Sequence, residues 1–426
     1  MENSSSSALK KPILHVECCL KTLSTVRYDL IRTSIEQFLR EFKTSVPCHS
    51  EITDYRDVEI LRENIEYLRI DDVFGDSSEI QTLDSVTLSI HVYQLDENDA
   101  ADEYDEENNV LTANYWDLPS RELEGLWDIL VFDGNIKTKL LDYAHTLLMF
   151  SDVGVDSNII PMNKVVLLHG PAGTGKTTIC RAFAHKLSIR MAGRYTNAKL
   201  VEINSHSLFS KWFSESGKLV QKMFHQINEM ADSDDSFICV LIDEVESLSA
   251  ARKSALSGSE PSDAVRVVNA LLTQIDKLKR KKNVLILTTS NITQAIDLAF
   301  IDRADIVQYI GFPSHQAIYS ILSGCINELI RVKIVIDHSL LEWRVLELHL
   351  HARENPSVKL HMISSKCLGV SGRILRKLPF LAHARYLRSY QTCSIEEFLS
   401  ALELIVDEEI SARQKVAGIF TSTVGL

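Results

Sequence analysis

Between an apolar run, Val165 to Leu168, and a helical stripe of Ile179, Phe183 and Leu187 lie eight residues that match GxxxxGK[ST] at every defined position. They are Gly170, Pro171, Ala172, Gly173, Thr174, Gly175, Lys176 and Thr177. Such a run demands a strand that stops, a loop whose glycines turn successive N–H groups inward, and a helix whose positive end faces the same point. The resulting concavity suits the phosphates of a nucleotide, ATP. Lys176 is placed to reach the β- and γ-phosphates, Thr177 to set its hydroxyl on Mg2+, and Thr178 follows them on the helix.

Two further strand ends supply chemistry. Phe237 to Ile242 is a continuous apolar run that ends in Asp243-Glu244. Two carboxylates at the tip of a buried strand are costly unless partnered, and a magnesium-nucleotide complex would partner them. Asp243 would hold the metal, and Glu244 would orient or deprotonate the attacking water. The plain alternative is that both merely cap the next helix. A third apolar strand, Val284 to Thr288, exits toward Asn291, whose amide could bond the γ-phosphate or the lytic water. Ile136, Leu140, Leu141 and Ala144 mark a helix ahead of the cradle. Fully apolar strands alternating with helical patterns predict an α/β fold with a parallel sheet covered on both faces.

The chain has 426 residues, enough for two or three domains. Ile31, Ile35, Phe38 and Leu39 recur at helical spacing and Val86 to Val92 reads as a strand, which together suggest a small α+β N-terminal domain over 1–95. From Asp96 to Glu107, eight of twelve residues are acidic. Such a block repels itself, so 96–117 is expected to be a mobile linker or exposed loop, or else a docking surface for a basic partner. The ATPase region is then expected over 118–312 and a helical region over 313–426, its first helix facing inward through Ile318, Ile321, Leu322, Cys325 and Leu329. There Arg373 stands at the start of an apolar helix, unfavourable to the helix dipole unless an anion such as nucleotide phosphate compensates it.

The remaining signals are less specific. Trp212 and Phe213, next to Lys211, form either a buried corner or exposed rings that grip a polypeptide. Residues 250–263 read as a flexible insertion. A net charge of −13 argues against a nucleic-acid binder, and the lysines and arginine at 277–282 read as a solvated turn. The eight scattered cysteines fit reduced thiols in the cytosol or nucleus. No secretory h-region or membrane span is expected.

The Walker-type cradle, the Asp243-Glu244 strand end, Asn291 and the Arg373 region together resemble AAA+ ATPases. Further stretches are similar to the pachytene checkpoint (thyroid-receptor-interactor) branch: Gly125-Leu126-Trp127, 140–144, Asn204 to Lys218, Ile301 to Asp305 and Ser371 to Pro379. The resemblance implies an AAA+ fold with a C-terminal helical lid and a separate α+β substrate- or adaptor-recognition domain. It implies a homohexameric ring that uses ATP to convert closed HORMA-domain proteins to an open or unfolded state, with a HORMA-like adaptor. It also implies roles in the spindle checkpoint and on meiotic chromosome axes, in nucleus and cytoplasm and at chromosomes or kinetochores. Neither nucleic acid nor membrane is an expected direct partner. By the same resemblance Lys211, Trp212 and Phe213 belong to a pore loop, Glu244 is the hydrolytic glutamate, Asn291 sensor 1 and Arg373 sensor 2. Ala172 replaces a common proline and Ser214 a common glycine. Of the usual two trans-site arginines only Arg303 is present, and it is the candidate arginine finger. The competing account is a nucleic-acid-dependent motor or loader on the same ATPase fold.

Overall fold

The computed structural model of the chain describes residues 11–74, 80–105, 110–205, 216–247, 263–291, 296, 298–336, 338–349, 351, 355–387 and 391–423. The N-terminal unit is built on four strands. These are β1 (Ile13–Leu20), β3 (Ser50–Ile52), β4 (Ile65–Phe74) and β6 (Thr87–Gln94), arranged β3-β4-β1-β6, with β1 parallel to β6 and antiparallel to β4. A small side ribbon pairs β2 (Ser45–Pro47) with β5 (Ile80–Thr82). The helix α1 (Tyr28–Phe42) buries Ile31, Ile35, Phe38 and Leu39 against this sheet, the four positions picked out by their spacing.

The central sheet has seven strands in the order β13-β9-β12-β11-β10-β8-β7. In chain order they are β7 (Ala101–Asp105), β8 (Val110–Leu118), β9 (Val165–His169), β10 (Asn197–Asn204), β11 (Ser236–Asp243), β12 (Val284–Ser290) and β13 (Ile306–Tyr309). The five from β9 to β13 run parallel, and two apolar layers cover the sheet's faces. The helices α2 (Ile136–Asp152) and α3 (Lys176–Arg190) pack in one layer, α4 (Ser216–Met230) and α5 (Asp263–Leu278) in the other. Order reversal between β9 and β12 opens the crevice that such sheets offer to ligands at their strand C-termini.

The five parallel strands form the sheet that the sequence predicts; β8, antiparallel to β10, and β7, antiparallel to β8, extend it at one edge. The stretch 96–117 is therefore not a linker: much of it forms the sheet's edge hairpin. The cause lies in β8, where Trp116 and Leu118 are buried in one apolar layer and Ala113 in the other. That burial fixes the strand, and the acidic run falls on the edge strand, where like charges discourage further pairing. The 277–282 turn is solvated, as expected, with Lys277, Arg280 and Lys282 exposed and two of its cations paired. Lys279 pairs with Asp276 at 2.9 Å, and Lys281 pairs with Asp232.

The N-terminal unit is docked directly onto α3. Cys19, Tyr67, Tyr93 and Leu95 enclose Ile189. Beside them Lys186 lies 2.8 Å from Glu17 and 2.7 Å from Asp71, and Arg190 lies 2.6 Å from Asp71 and also contacts Asp72. Three carboxylates face two cations in this buried cluster. Burial, partly offset by Lys186, pushes Glu17 up to about 7. Burial opposes the charge of Asp71 too, but Lys186, His49 and Arg190 overcome it and hold that carboxyl well below its ordinary value. The helix that starts at the cradle lysine thus ends inside the N-terminal unit.

The C-terminal region is helical: α6 (His315–Arg331), α7 (Pro356–Lys366), short turns at Gly372–Leu375 and Leu378–Ala382, and α8 (Ile395–Thr423) enclose one apolar cluster. Ser314 caps α6 by accepting from Ala317 N–H, and Asn355 caps α7 by accepting from Ser357 N–H. Among the described residues no helix is long and apolar enough to cross a membrane.

Candidate active site

A cavity of about 490 Å³ opens over the C-terminal ends of β9 and β11. Its lining includes the cradle from Ala172 to Thr178, both carboxylates Asp243 and Glu244, Asn291, and Arg373 from the helical region. The sequence scatters these groups over some two hundred positions; the sheet brings them to one point. Gly170 and Pro171 complete the loop from below, both carbonyls accepting from Lys176 Nζ, at 2.9 and 2.7 Å.

Two of the loop glycines are obligatory in physical terms. Gly170 has φ +146°, and a Cβ there would stand 2.0 Å from the Ile310 carbonyl oxygen. Gly173 has φ +78°, and its Cβ would meet Ser371 Oγ at 2.9 Å. The second contact shows how closely the helical region rides on the cradle. Arg373 N–H donates to Gly173 O at 3.1 Å, and Arg376 donates to Ile129 O at 2.5 Å.

Charge in the cavity is poised for an anion. Burial pulls Lys176 below its ordinary value. Glu246, Asp243 and Glu244 support its charge, while Arg373 opposes it. A phosphate between Lys176 and Arg373 would relieve their repulsion. The dipole argument for Arg373 does not survive, because its helix, Gly372–Leu375, is only four residues long. What places Arg373 in the site is the turn's bond to Gly173.

The carboxylates are held by neighbours on α3 and at the end of β12. Thr177 Oγ1 donates to Asp243 at 3.0 and 3.2 Å, and Thr289 Oγ1 also donates to Asp243. Glu244 has φ +59°, a left-handed conformation costing an L-residue roughly 1–2 kcal/mol. Its N–H donates to Thr289 Oγ1 at 3.2 Å, and Asn291 Nδ2 donates to its Oε1 at 3.2 Å. A plain helix cap needs none of this strain. The donor set of Thr177 hydroxyl and Asp243 carboxylate, hard oxygens already in contact, fits Mg2+.

Sequence reasoning missed Thr289, Ser205 and the segment Ile129–Phe132, which lines the cavity beside the cradle. Their residue types carry no motif; only the pairing of β11 with β12 and with β10, and the contact at Gly175, single them out. There a Cβ would touch Phe132 and Leu130. Arg303 is not brought to this cavity. It forms a two-pronged pair with Asp276 of α5, at 3.1 and 2.9 Å, and donates to Ala299 O at 2.8 Å. Lys211, Trp212 and Phe213 lie outside the described residues, as does most of the expected insertion at 250–263.

Comparison with known proteins matches three family descriptions along the chain. Residues 9–98 match the TRIP13 N-terminal domain, 166–312 the ATPase family associated with various cellular activities (AAA), and 314–410 the TRIP13-like AAA+ ATPase lid C-terminal domain. The chain is similar to the human pachytene checkpoint protein 2 homolog, 49% identical over 416 residues and 96% of each chain. The zebrafish homolog is 46% identical over 96% of each. Among solved structures, C. elegans PCH-2 covers 95% of this chain and all of its own, at 35% identity and a TM-score of 0.75. A structure of an E. coli HORMA:CdnC:Trip13 complex shares the fold, at 17% identity and a TM-score of 0.51 over 68% of this chain and 93% of that one.

Proposed function

The chain belongs to the pachytene checkpoint protein 2 (TRIP13) family of AAA+ ATPases, and from that premise we propose that it spends ATP hydrolysis on remodelling HORMA-domain proteins. The observation that carries the catalytic part is the convergence of Lys176, Thr177, Asp243, Glu244, Asn291 and Arg373 on one cavity. Lys176 and the loop N–H groups bind the phosphates. Asp243 and Thr177 hold Mg2+, which supplies charge neutralisation on the phosphate oxygens when bound. Glu244 orients the water and accepts its proton, with Asn291 fixing the direction of that carboxylate. Arg373 reports the phosphate's presence to the helical lid through the Gly173 contact.

Family membership supports the remaining roles. The protein works as a homohexameric ring in which Arg303 leaves Asp276 to complete a neighbour's site. Lys211, Trp212 and Phe213 grip substrate in the ring's pore. The N-terminal unit receives the closed HORMA protein or its HORMA-like adaptor, and the work is done in checkpoint and meiotic settings, in nucleus and cytoplasm and at chromosomes.

One plate assay tests the whole reading: hydrolysis is measured with closed HORMA protein, with and without adaptor, beside DNA as control ligand, while conversion to the open form is followed. Stimulation by HORMA protein with conversion is the expected result. Stimulation by DNA alone would favour the rival motor. W212A should keep basal hydrolysis and lose conversion, and R303A subunits mixed with wild type should depress hydrolysis in adjacent sites.

A further inference from the structure

Ser205 follows the last residue of β10, opposite the tip of β11, and is fully buried. Its Oγ lies 2.6 Å from the Asp243 carbonyl oxygen, 2.6 Å from the Glu244 carbonyl oxygen and 2.9 Å from Ser247 Oγ. Ser247 Oγ donates to the same Glu244 carbonyl at 2.9 Å, and Ser247 N–H reaches it at 3.1 Å. The buried Ser205 hydroxyl, the half-buried Ser247 hydroxyl and the Ser247 amide therefore converge on the carbonyl that leaves Glu244, the single Ser205 proton being shared with the Asp243 carbonyl. The N–H on the other side of that residue is held by Thr289 Oγ1.

Glu244 needs such restraint. At φ +59° an L-residue sits in the left-handed region at a cost of roughly 1–2 kcal/mol, which hydrogen bonds on its flanking peptides offset. A rotation about that φ would swing the carboxylate away from Asn291. Ser205 contacts neither nucleotide-binding groups nor the carboxylate itself. Among the described residues its hydroxyl bonds two main-chain carbonyls and Ser247 Oγ.

We propose that Ser205 is a positioning residue for ATP hydrolysis, its buried hydroxyl holding the strained peptide of Glu244 so that the carboxylate stays on Asn291. The inference rests on Glu244 as the water-activating group. Because Ser205 also precedes the segment in which the substrate-gripping aromatics lie, the strand end that fixes the carboxylate is continuous in sequence with that segment.

The test uses the full chain and compares S205A, S247A, E244Q and S205A/E244Q by steady-state and single-turnover hydrolysis, ATP affinity and thermal unfolding. S205A should lower kcat about tenfold, the rate equivalent of one net hydrogen bond, with ATP affinity within about twofold of wild type. S247A, which removes a companion donor from the same carbonyl, should lower kcat by about threefold and likewise spare binding. In the E244Q background S205A should bring no further loss. Wild-type kcat in S205A, an equal loss of binding, or an undiminished loss in the E244Q background would overturn the proposal. If S205A does not fold, S247A decides by the same readings. Near-normal hydrolysis by E244Q would instead remove the premise about Glu244, and the proposal with it.

Discussion

The Thr177 hydroxyl donates to both carboxylate oxygens of Asp243, at 3.0 and 3.2 Å, so the first turn of α3 and the tip of β11 are already joined. Neither group is free to wander before a nucleotide arrives, and both would serve as oxygen ligands to a bound Mg2+. Removing the hydroxyl should therefore tell on the metal more than on the nucleotide. T177A is expected to raise the Mg2+ concentration for half-maximal hydrolysis about tenfold, corresponding to about 1.4 kcal/mol. A magnesium titration of the ATPase rate checks this. An unchanged midpoint would leave the contact a structural one.

The pieces of this site that were legible in the sequence are those whose chemistry is expensive. Gly170 to Thr177 and Asp243-Glu244 stand out because glycines and paired carboxylates are costly in an apolar surrounding without a ligand. Thr289 and Ser205 were illegible, since a hydroxyl near a strand end is ordinary and its meaning depends on which strand lies alongside. The hairpin of β7 and β8 is hidden in the sequence for a related reason. Its acidic residues dominate local composition, while the burial of Trp116 and Leu118, which helps to fix it, depends on a strand eighty residues away. The docking of the N-terminal unit likewise depends on Lys186 and Arg190, which in sequence look like ordinary helix cations.

Gly170 offers a sharper test of the cradle than its lysine does. G170A places a methyl group 2.0 Å from the Ile310 carbonyl oxygen, so either the loop or the end of β13 must move. Overpacking of this kind costs roughly 1–3 kcal/mol. The variant is expected to unfold several degrees lower and to lose ATP binding. Scanning calorimetry with and without ATP would show both, and normal ATP stabilisation would show that the loop tolerates the shift.

The buried cluster that fastens the N-terminal unit makes an asymmetric prediction. Three carboxylates share two cations, and Glu17 is the one burial pushes up to about 7. The fold therefore accepts its neutral form, and E17Q should change stability by less than about 1 kcal/mol. K186M strands the carboxylates and should cost roughly 3–5 kcal/mol. D71N should lie nearer K186M, because Asp71 is held ionised by Lys186, His49 and Arg190. Urea unfolding at pH 7 ranks the three. Equal losses for E17Q and K186M would contradict this division of charge.

The imidazoles of His15 and His91 stack at 5.2 Å with Nδ1 and Nε2 2.9 Å apart, and together they set an acid limit on the N-terminal unit. Burial drives His15 down to about 2 and His91 to about 3; Arg190 and Lys186 add to the effect, Asp71 opposes it, and Arg32 lowers His91 further. Both rings are thus neutral in the folded chain while the unfolded chain takes up protons below about pH 6.5. A folded value below the unfolded one means stability is whole above pH 6.5 and drains as pH falls toward 3. At pH 5 each ring costs about 2 kcal/mol. Glu17 has the opposite sign, its contribution being present below its ordinary carboxylate range and lost as pH rises through about 7, so the pair must be isolated by difference. The loss of unfolding free energy from pH 7 to pH 5 should be about 4 kcal/mol smaller in H15N/H91N than in wild type. Urea titrations at the two pH values measure it. An identical pH slope in the double variant would mean that other groups carry the acid sensitivity of this chain.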